Sequence, residues 1–356
     1  MPEYVISVRN VVGNKFGAEP SKAPTLFLEV PDAATEFTPT HAIAFEDFRA
    51  RLARQALRIK DDAIGSTGDI LIFVHGYNNS IAEVLERTRL LRAELRAQGW
   101  VGTVVAFDWP SDNKALNYIE DRTDAANTAT KLVTDCVLKL AAVQDTEDAA
   151  LWDRAGLDKA DRDPSKSCEI NIHLIGHSTG AYVIMEAFAQ AEKVGELFKT
   201  PWRIAQVAFI GADVSCDSLS TDDNYNKPML KRIMRLTNYQ NGFDDVLAVS
   251  NAKRFGTRPR AGRVGIPTTV DRKILNVDCS EFFHTLDPDS YKHVGWFTHS
   301  WHIAQPTFCL DLAMTLEGRI DRDYIPTRKR VDGKLDLQLG TRPPFEAQWS
   351  RETPQS

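Results

Sequence analysis

A serine with a glycine two residues away on each side stands near the middle of the chain, in Gly176-His177-Ser178-Thr179-Gly180. The run before it, Ile170 to Ile175, is apolar and branched and predicts a buried strand, and Ala181 to Ala191 has the composition of a helix. On such a sharp strand-to-helix turn the serine backbone is strained, and side chains in place of the glycines would collide with neighbouring elements. The pattern therefore predicts an exposed nucleophilic hydroxyl at Ser178.

Two further segments stand ahead of this motif, each an apolar run followed by a polar loop. They are Leu71-Ile-Phe-Val-His75-Gly76-Tyr77-Asn-Asn and Val104-Val-Ala-Phe-Asp108-Trp109-Pro110-Ser-Asp. In order with the serine motif, they resemble the α/β-hydrolases and, more narrowly, a largely uncharacterised bacterial branch with esterase-like or lipase-like members. The likeness runs from about Ile70 to about Leu316. It implies an α/β-hydrolase fold, with a mostly parallel central sheet and helices on both faces.

The resemblance also implies an oxyanion hole, made by two backbone N–H groups. One belongs to the residue just past the His-Gly strand and the other to the residue after the nucleophile. Matching motif to motif assigns these donors to Tyr77 and Thr179. The alternative for His75-Gly76 is an ordinary turn from strand to loop.

A serine hydroxyl needs an imidazole to take its proton, and in α/β-hydrolases that histidine follows the serine. The histidines after the serine are His284, His293, His299 and His302. His299 is expected at the end of the loop after the last strand, just ahead of a helix that Ser300 could cap. Thr298-His299-Ser300-Trp301 is similar to the branch's signature of small residue, histidine, serine and aromatic residue. The resemblance therefore implies His299 as the base, with His293 as the second candidate.

A carboxylate must orient the base, and two strand ends could supply it. Asp213 follows one predicted strand, and Asp244 and Asp245 follow the next. The branch's pattern of tyrosine, aspartate, small apolar residue, leucine and serine is satisfied by Tyr239, Asp244, Val246, Leu247 and Ser250. It implies Asp244 as the acid, while Asp213 and Asp245 stay open because carboxylates in such loops often cap turns. The chain departs from the branch at Thr179, where methionine is usual, and at Val246, where alanine is usual.

Aromatic residues near these segments suggest an apolar substrate pocket, which we assign to Trp109, His177 and Trp301. Trp109 follows a predicted strand and fits either the pocket rim or loop packing. The aromatic-rich stretch from Phe282 to Trp301 likewise fits either an acyl pocket or packing over the sheet edge. Substrate identity is not readable from these residues.

Strand-like and helix-like runs alternate without a flexible linker. This favours one α/β domain with additional segments over two separate domains. Residues 1–69 are expected to supply strands and a helix, Phe45 to Lys60, that join the sheet. Residues 70–320 form the predicted catalytic domain, with a polar surface insertion near 145–167, and residues 321–356 a polar tail. A long helix is expected from Ala125 to Val143, a last strand from Ile274 to Val277, and a final helix from Ile303.

The net charge of −6 argues against nucleic acid as the main partner, because phosphate binding needs a broad excess of Lys and Arg. Basic clusters at Arg254 to Arg263 and at Arg328 to Arg330 read mostly as solvated surface. Five scattered cysteines without C-x-x-C spacing fit a reduced compartment. With no signal peptide and no apolar stretch long enough to span a membrane, we expect a cytoplasmic protein. No metal or nucleotide cofactor is implied.

These residues together predict a serine hydrolase that cleaves carboxylic esters or thioesters of a small-molecule or lipid-like acyl substrate. An acyltransferase or lipase would use the same serine, histidine and aspartate. A binding module that kept the fold and lost turnover is the third hypothesis. Oligomeric state cannot be read from the sequence.

Overall fold

The computed structural model describes residues 1–62, 68–111, 128–141, 170–194, 202–252 and 258–344, without the side chains of 56–62. The predicted insertion near 145–167 lies outside the described residues, as do both ends of the helix predicted from 125 to 143. So do residues 254–257 of the first basic cluster.

Strands form where branched and aromatic residues are concentrated, as the apolar runs predict. Their bounds are β1 Glu3–Ser7, β2 Arg9–Val12, β3 Lys15–Pro20, β4 Leu26–Val30, β5 Ala42–Ile43, β6 Ile70–Val74, β7 Thr103–Asp108, β8 Ile172–His177, β9 Ile204–Ile210, β10 Ile233–Gln240, β11 Ile274–Asp278, β12 Arg328–Val331 and β13 Lys334–Leu337.

Within the described residues, eleven of these strands form the main sheet in the order β12-β13-β11-β10-β9-β8-β6-β7-β1-β4-β5, and β2 and β3 form a separate hairpin. Neighbours from β13 to β1 run parallel. The antiparallel strands β12, β4 and β5 lie at the two edges. The serine strand β8 is central, between β6 and β9, so the loops after these strands meet at one edge of the sheet.

Helices follow most of the parallel strands. Their bounds are α1 Phe45–Asp62, α2 Ile81–Ala97, α3 residues 128–141 with a π-helical turn at Leu132–Val137, α4 Thr179–Val194, α5 Lys227–Arg232, α6 Asp245–Ala252, α7 Ala261–Val264, α8 Ser280–Phe283, α9 Phe297–Ser300 and α10 Pro306–Glu317. Ser80 caps α2 as its position before an apolar-periodic run predicts, since its side chain accepts from the Glu83 N–H.

Side-chain alternation along the central strands builds two cores. Ile70, Ile72 and Val74 pack with α1, α3 and α4, whereas Leu71 and Phe73 pack with α2 and α10 on the opposite face. Successive strand residues point to opposite faces, so a fully apolar strand needs cover on both sides. This arrangement confirms the predicted fold class, a mostly parallel sheet with helices on both faces.

Both ends of the chain contribute strands to the main sheet. At the N-terminus β1 pairs antiparallel with β4 and parallel with β7, so this pair is part of the sheet. At the C-terminus the segment expected to be a polar tail contributes the β12–β13 hairpin, and β13 pairs with β11. The strand Ile274–Asp278 is therefore not the last, and the interpretation of everything after residue 320 as a tail is corrected.

A buried ion pair explains why the polar hairpin belongs to the fold. The Arg328 guanidinium donates to Asp311 on α10 through Nε, at 2.9 Å, and Nη2, at 2.6 Å, and Nη2 also contacts the Tyr239 hydroxyl on β10. Both partners of the ion pair are fully buried. Arg328 is therefore not part of a solvated basic surface, contrary to the reading of that cluster.

The cysteine thiols and the apolar character of the helices can be stated for the described residues. Cys136, Cys216, Cys279 and Cys309 are all free thiols, while Cys168 lies outside the described part. None of the helices that the structure describes combines the length and apolar character needed to cross a membrane.

Candidate active site

The turn between β8 and α4 has the strained geometry that the serine motif predicts. Ser178 has φ of 57°, a left-handed conformation that is costly for a residue with a side chain. A Cβ on Gly176 would lie 2.7 Å from the Ala181 Cα, and one on Gly180 would lie 2.1 Å from the Val74 oxygen. Both positions therefore require glycine. Ser178 is only 7% exposed, in contrast to the predicted exposed hydroxyl, because the turn at Gly76 packs against its side chain.

The residues predicted as acid and base, Asp244 and His299, meet beside this turn. Asp244, in the loop after β10, is fully buried, and its Oδ2 lies 2.6 Å from His299 Nδ1. A carboxylate oxygen accepts hydrogen bonds, so Nδ1 carries the hydrogen and Nε2 presents a lone pair. Nε2 is buried and has no hydrogen-bond partner in the described part of the chain. The imidazole is thus in the tautomer that a general base needs.

The end of β9 places the imidazole near the serine. The Ser178 N–H donates to the Ile210 oxygen at 3.0 Å. At the next residue, Gly211, an added Cβ would lie 3.2 Å from His299 Cε1 and 3.4 Å from Asp244 Oδ2. Acid, base and serine turn therefore surround the Ile210–Gly211 peptide.

His299 lies within the one-turn helix α9, a difference from the predicted loop position. The Trp296 oxygen accepts from the His299 N–H at 3.0 Å and from the Ser300 N–H at 2.9 Å, which closes this turn. Ser300 makes no side-chain cap. The final helix begins at Pro306, not Ile303, because Gln305 caps it by accepting from the Phe308 N–H at 2.6 Å.

The alternative acids contact other groups. The Asp213 carboxylate accepts from the Ser250 hydroxyl at 2.8 Å and lies 3.3 Å from Arg260. The backbone N–H of Asp213 donates to the Ser178 backbone oxygen. Asp245 begins α6. Of the three carboxylates, Asp244 is the one that contacts His299, and it also accepts from the Leu247 N–H at 2.9 Å.

The alternative histidines lie elsewhere. His293 and His284 are exposed, and the His284 ring packs on Phe243. His302 is fully buried and stacks on Trp301, with ring centroids 4.1 Å apart. Burial, and then the neighbouring His299, hold the pKa of His302 well below its usual value.

The predicted oxyanion donors lie on either side of the serine turn. A Cβ on Gly76 would be 2.7 Å from Ser178 Cβ, so the turn that carries Tyr77 packs directly on the nucleophile. Asn79 Nδ2 donates to the Gly76 oxygen at 2.8 Å and to the Tyr77 oxygen at 3.2 Å, which holds the turn. Thr179 is the first residue of α4, where the N–H has no acceptor from a preceding helical turn.

A buried polar network beneath the turn at His75–Tyr77, the predicted oxyanion turn, was not predicted from the sequence. Arg9 Nε donates to Asp108 at 2.9 Å, Ser7 Oγ donates to it at 2.6 Å, and His75 Nε2 lies 3.4 Å from it. Burial alone would raise the pKa of Asp108, but Arg9, His75 and Ser7 together lower it. Burial lowers the pKa of His75 although Asp108 opposes the shift. Only the position of Asp108 at a strand end could have indicated the network.

The residues assigned to the pocket are almost wholly covered. Trp109 is fully buried, and its Nε1 donates to the His75 oxygen at 2.8 Å, which fits the packing alternative and not a pocket rim. Trp301 is also fully buried and packs on Phe282 and Phe283, so it presents no surface to a substrate in this conformation. His177 is buried against His299, with ring centroids 4.8 Å apart.

Exposed aromatic surface lies instead on the segments that carry the acid and base. Phe243, just before Asp244, is 42% exposed, and Trp296, at the start of α9, is 66% exposed. Ring contacts run from Phe243 to Phe283 and from Phe283 to Phe297, the residue after Trp296. No group of three or more His, Cys, Asp or Glu in the described ranges has an arrangement suited to a metal ion.

A family model and a solved structure are among the known proteins to which the chain is similar. A family model described as "Alpha/beta hydrolase of unknown function (DUF900)" matches residues 53–151, which include β6 and β7. Among solved structures, the chain is similar to a Trichoderma reesei cutinase in complex with a C11Y4 phosphonate inhibitor. The identity is 10% over 77% of this chain and 93% of that chain, with a TM-score of 0.28. No curated protein matches the chain.

Proposed function

We propose that this chain, which has the α/β-hydrolase fold, is a serine hydrolase that cleaves carboxylic esters or thioesters. The nucleophile is Ser178, the base is His299 and the acid is Asp244. One observation carries the proposal: the 2.6 Å contact between His299 Nδ1 and Asp244 Oδ2, beside a serine held at φ of 57°. A buried imidazole with one nitrogen bound to a carboxylate and the other unpaired is arranged to accept a proton.

The first half of the reaction forms an acyl-enzyme. His299 Nε2 takes the Ser178 Oγ proton as Oγ attacks the carbonyl carbon of the substrate. The N–H groups of Tyr77 and Thr179 donate to the tetrahedral oxyanion, each contributing about 3 kcal/mol to its stabilisation. Collapse of the intermediate breaks the bond to the leaving alcohol or thiol, which receives the proton from His299.

The second half regenerates the enzyme. His299 takes a proton from a water molecule whose oxygen attacks the acyl carbon, and the carboxylic acid departs as Ser178 Oγ regains its hydrogen. In the proposed mechanism the Oγ–Nε2 hydrogen bond forms when substrate binds, since His299 Nε2 has no partner among the described residues. Catalytic hydrogen bonds often tighten only at that stage.

A lipid-like acyl chain is the substrate class that the exposed aromatic surface favours. Phe243 and Trp296 offer apolar contact on the segments that carry Asp244 and His299, and an acyl chain would bury part of that surface on binding. Transfer of the acyl group to an alcohol would use the same residues. The cytoplasmic location stays a prediction from the sequence.

A panel of p-nitrophenyl esters of increasing chain length tests the proposal. The wild-type chain should release p-nitrophenol with burst kinetics, and Ser178→Ala should lose nearly all activity. Ser290→Ala, at an exposed serine that contacts only Asp287 among described side chains, is the matched control and should match wild type. Equal turnover by Ser178→Ala and wild type, or no turnover of any ester or thioester, would contradict the proposal.

A further inference from the structure

We propose that His177 is a positioning residue for His299, acting through a hydrogen bond from its Nε2–H to the His299 backbone carbonyl. This inference rests on the proposed function and adds a residue to it. His177 occupies the variable position before the serine in the glycine-serine-glycine motif. Its side chain reaches across from β8 to the segment that carries the base.

The contact joins two buried groups that are distant in sequence. His177 Nε2 lies 3.1 Å from the His299 oxygen, across 122 residues. The two rings pack at a tilt of 49° with centroids 4.8 Å apart. Both residues are buried, so the hydrogen bond forms without competition from bulk water.

The protonation state of His177 follows from its surroundings. A carbonyl oxygen only accepts, so Nε2 carries the hydrogen and Nδ1 does not. Burial, and then the charges of His299 and Arg87, hold the pKa of His177 well below its usual value. His177 is therefore neutral at neutral pH, and it donates through Nε2.

The helix that carries the base needs such a partner. Helix α9 spans only Phe297–Ser300, and one turn of helix is not stable by itself. The last carbonyl groups of a helix accept no hydrogen bond from within the helix, so the His299 oxygen can accept one from a donor outside it. His177 supplies that donor and fixes the backbone from which the imidazole projects.

His177 also touches the opposite side of the site. A Cβ on Gly76 would lie 3.2 Å from His177 Nδ1 and 3.1 Å from the His177 oxygen. The ring thus lies between the base helix and the turn that carries Tyr77. It can set the spacing between proton acceptor and oxyanion donors.

Three substitutions separate the hydrogen bond from simple space filling. His177→Gln can place an amide N–H where Nε2 lies, His177→Asn places its amide at the Nδ1 position, and His177→Leu provides no donor. We expect kcat to fall about tenfold for Asn and Leu but by less than about threefold for Gln, with KM unchanged in all three. The rate at which a fluorophosphonate labels Ser178 should likewise fall more for the Asn and Leu variants than for the Gln variant.

His173→Gln is the matched control. His173 lies four residues earlier on β8, is equally buried, and pairs with Asp69 at 3.0 Å, away from the base helix. Its replacement should lower the thermal midpoint and leave kcat unchanged. A loss of kcat in the His177 variants therefore cannot be ascribed to a weakened strand.

The outcomes distinguish this inference from the proposed function. Rescue by Gln but not by Asn supports it, even if the Leu variant does not fold. Equal losses for Gln and Asn at wild-type thermal midpoints, or wild-type kcat for Asn and Leu, overturn it while the hydrolase proposal stands. A wild-type chain that neither hydrolyses esters nor reacts with the fluorophosphonate overturns the proposed function and this inference together.

Discussion

Asp244 Oδ2 lies 2.6 Å from His299 Nδ1, although 55 residues separate them along the chain. The contact exists because β10 and the loop after β11 bring both segments to the edge of the sheet where β8 ends. Asp244 is buried and also receives the Leu247 N–H, so its carboxylate is held in one orientation.

Asp244→Asn should lower kcat by roughly 10³ to 10⁴-fold, because an amide can donate to Nδ1 and stabilise the wrong imidazole tautomer. Asp213→Asn is the matched control and should cost less than about tenfold, since its carboxylate contacts Ser250 and Arg260 and not His299. Steady-state hydrolysis of a p-nitrophenyl ester measures both. The assignment of the acid is wrong if the Asp213 variant is the more severely impaired.

Asp108→Asn should reduce the free energy of unfolding by about 3 kcal/mol, because it leaves the buried Arg9 guanidinium without its charged partner. Urea denaturation of the variant measures the loss. Glu46→Gln removes an exposed ion pair with Arg49 and should change stability by less than about 1 kcal/mol. A stability loss in the Asp108 variant no larger than that of the control would show that the network beneath the oxyanion turn is not stabilising.

Acid should destabilise the fold below about pH 7, because His75, His177 and His302 are buried with pKa values below the ordinary 6.5. The unfolded chain binds protons at these side chains before the folded chain does, so stability present at neutral pH is lost as pH falls. Each histidine contributes a slope of up to about 1.4 kcal/mol per pH unit. Urea midpoints measured from pH 8 to pH 5 follow this loss.

His302→Phe isolates one of these contributions, since Phe can keep the stacking on Trp301. Unfolding of this variant should take up about one proton fewer than unfolding of the wild type. Its unfolding free energy should therefore depend less steeply on pH. Parallel profiles for the variant and wild type would mean that His302 does not contribute.

Replacing the exposed aromatic residues should change chain-length preference. Phe243→Ser with Trp296→Ser should raise KM for long-chain esters by about tenfold and leave short-chain esters nearly unaffected, because only long chains bury this surface. Tyr324→Ser is the control, since Tyr324 is also 66% exposed. Its neighbour Arg322 contacts the residue just before β11, so this segment lies at the amino end of that strand, opposite the edge that carries Asp244 and His299. Equal changes for long and short esters would contradict a role in acyl-chain binding.

The sequence predicted the parts of the site that depend on local pattern. Apolar runs located β6, β7 and β8 within about two residues, and the glycines around Ser178 correspond to positions where a Cβ would collide with backbone. Local pattern works there because strand burial and turn geometry are decided by near neighbours. The roles of Asp244 and His299 came from the resemblance, and their contact in the structure supports that assignment.

Features that depend on contacts between distant residues could not be predicted. Arg328 looked like part of a solvated basic cluster, yet its partner Asp311 lies on α10 and draws the C-terminal hairpin into the sheet. The bond from His177 to the His299 carbonyl joins residues with no common sequence pattern. Side-chain pairing of this kind is set by tertiary packing, which overrides local propensity.

Mass spectrometry of the chain after reaction with a fluorophosphonate probe tests the central claim most directly. The account predicts a single covalent adduct on the peptide that contains Ser178, at a rate that falls sharply in His299→Ala, and no adduct in Ser178→Ala. Modification of another residue, or an adduct that forms equally fast without Ser178 or His299, would contradict it.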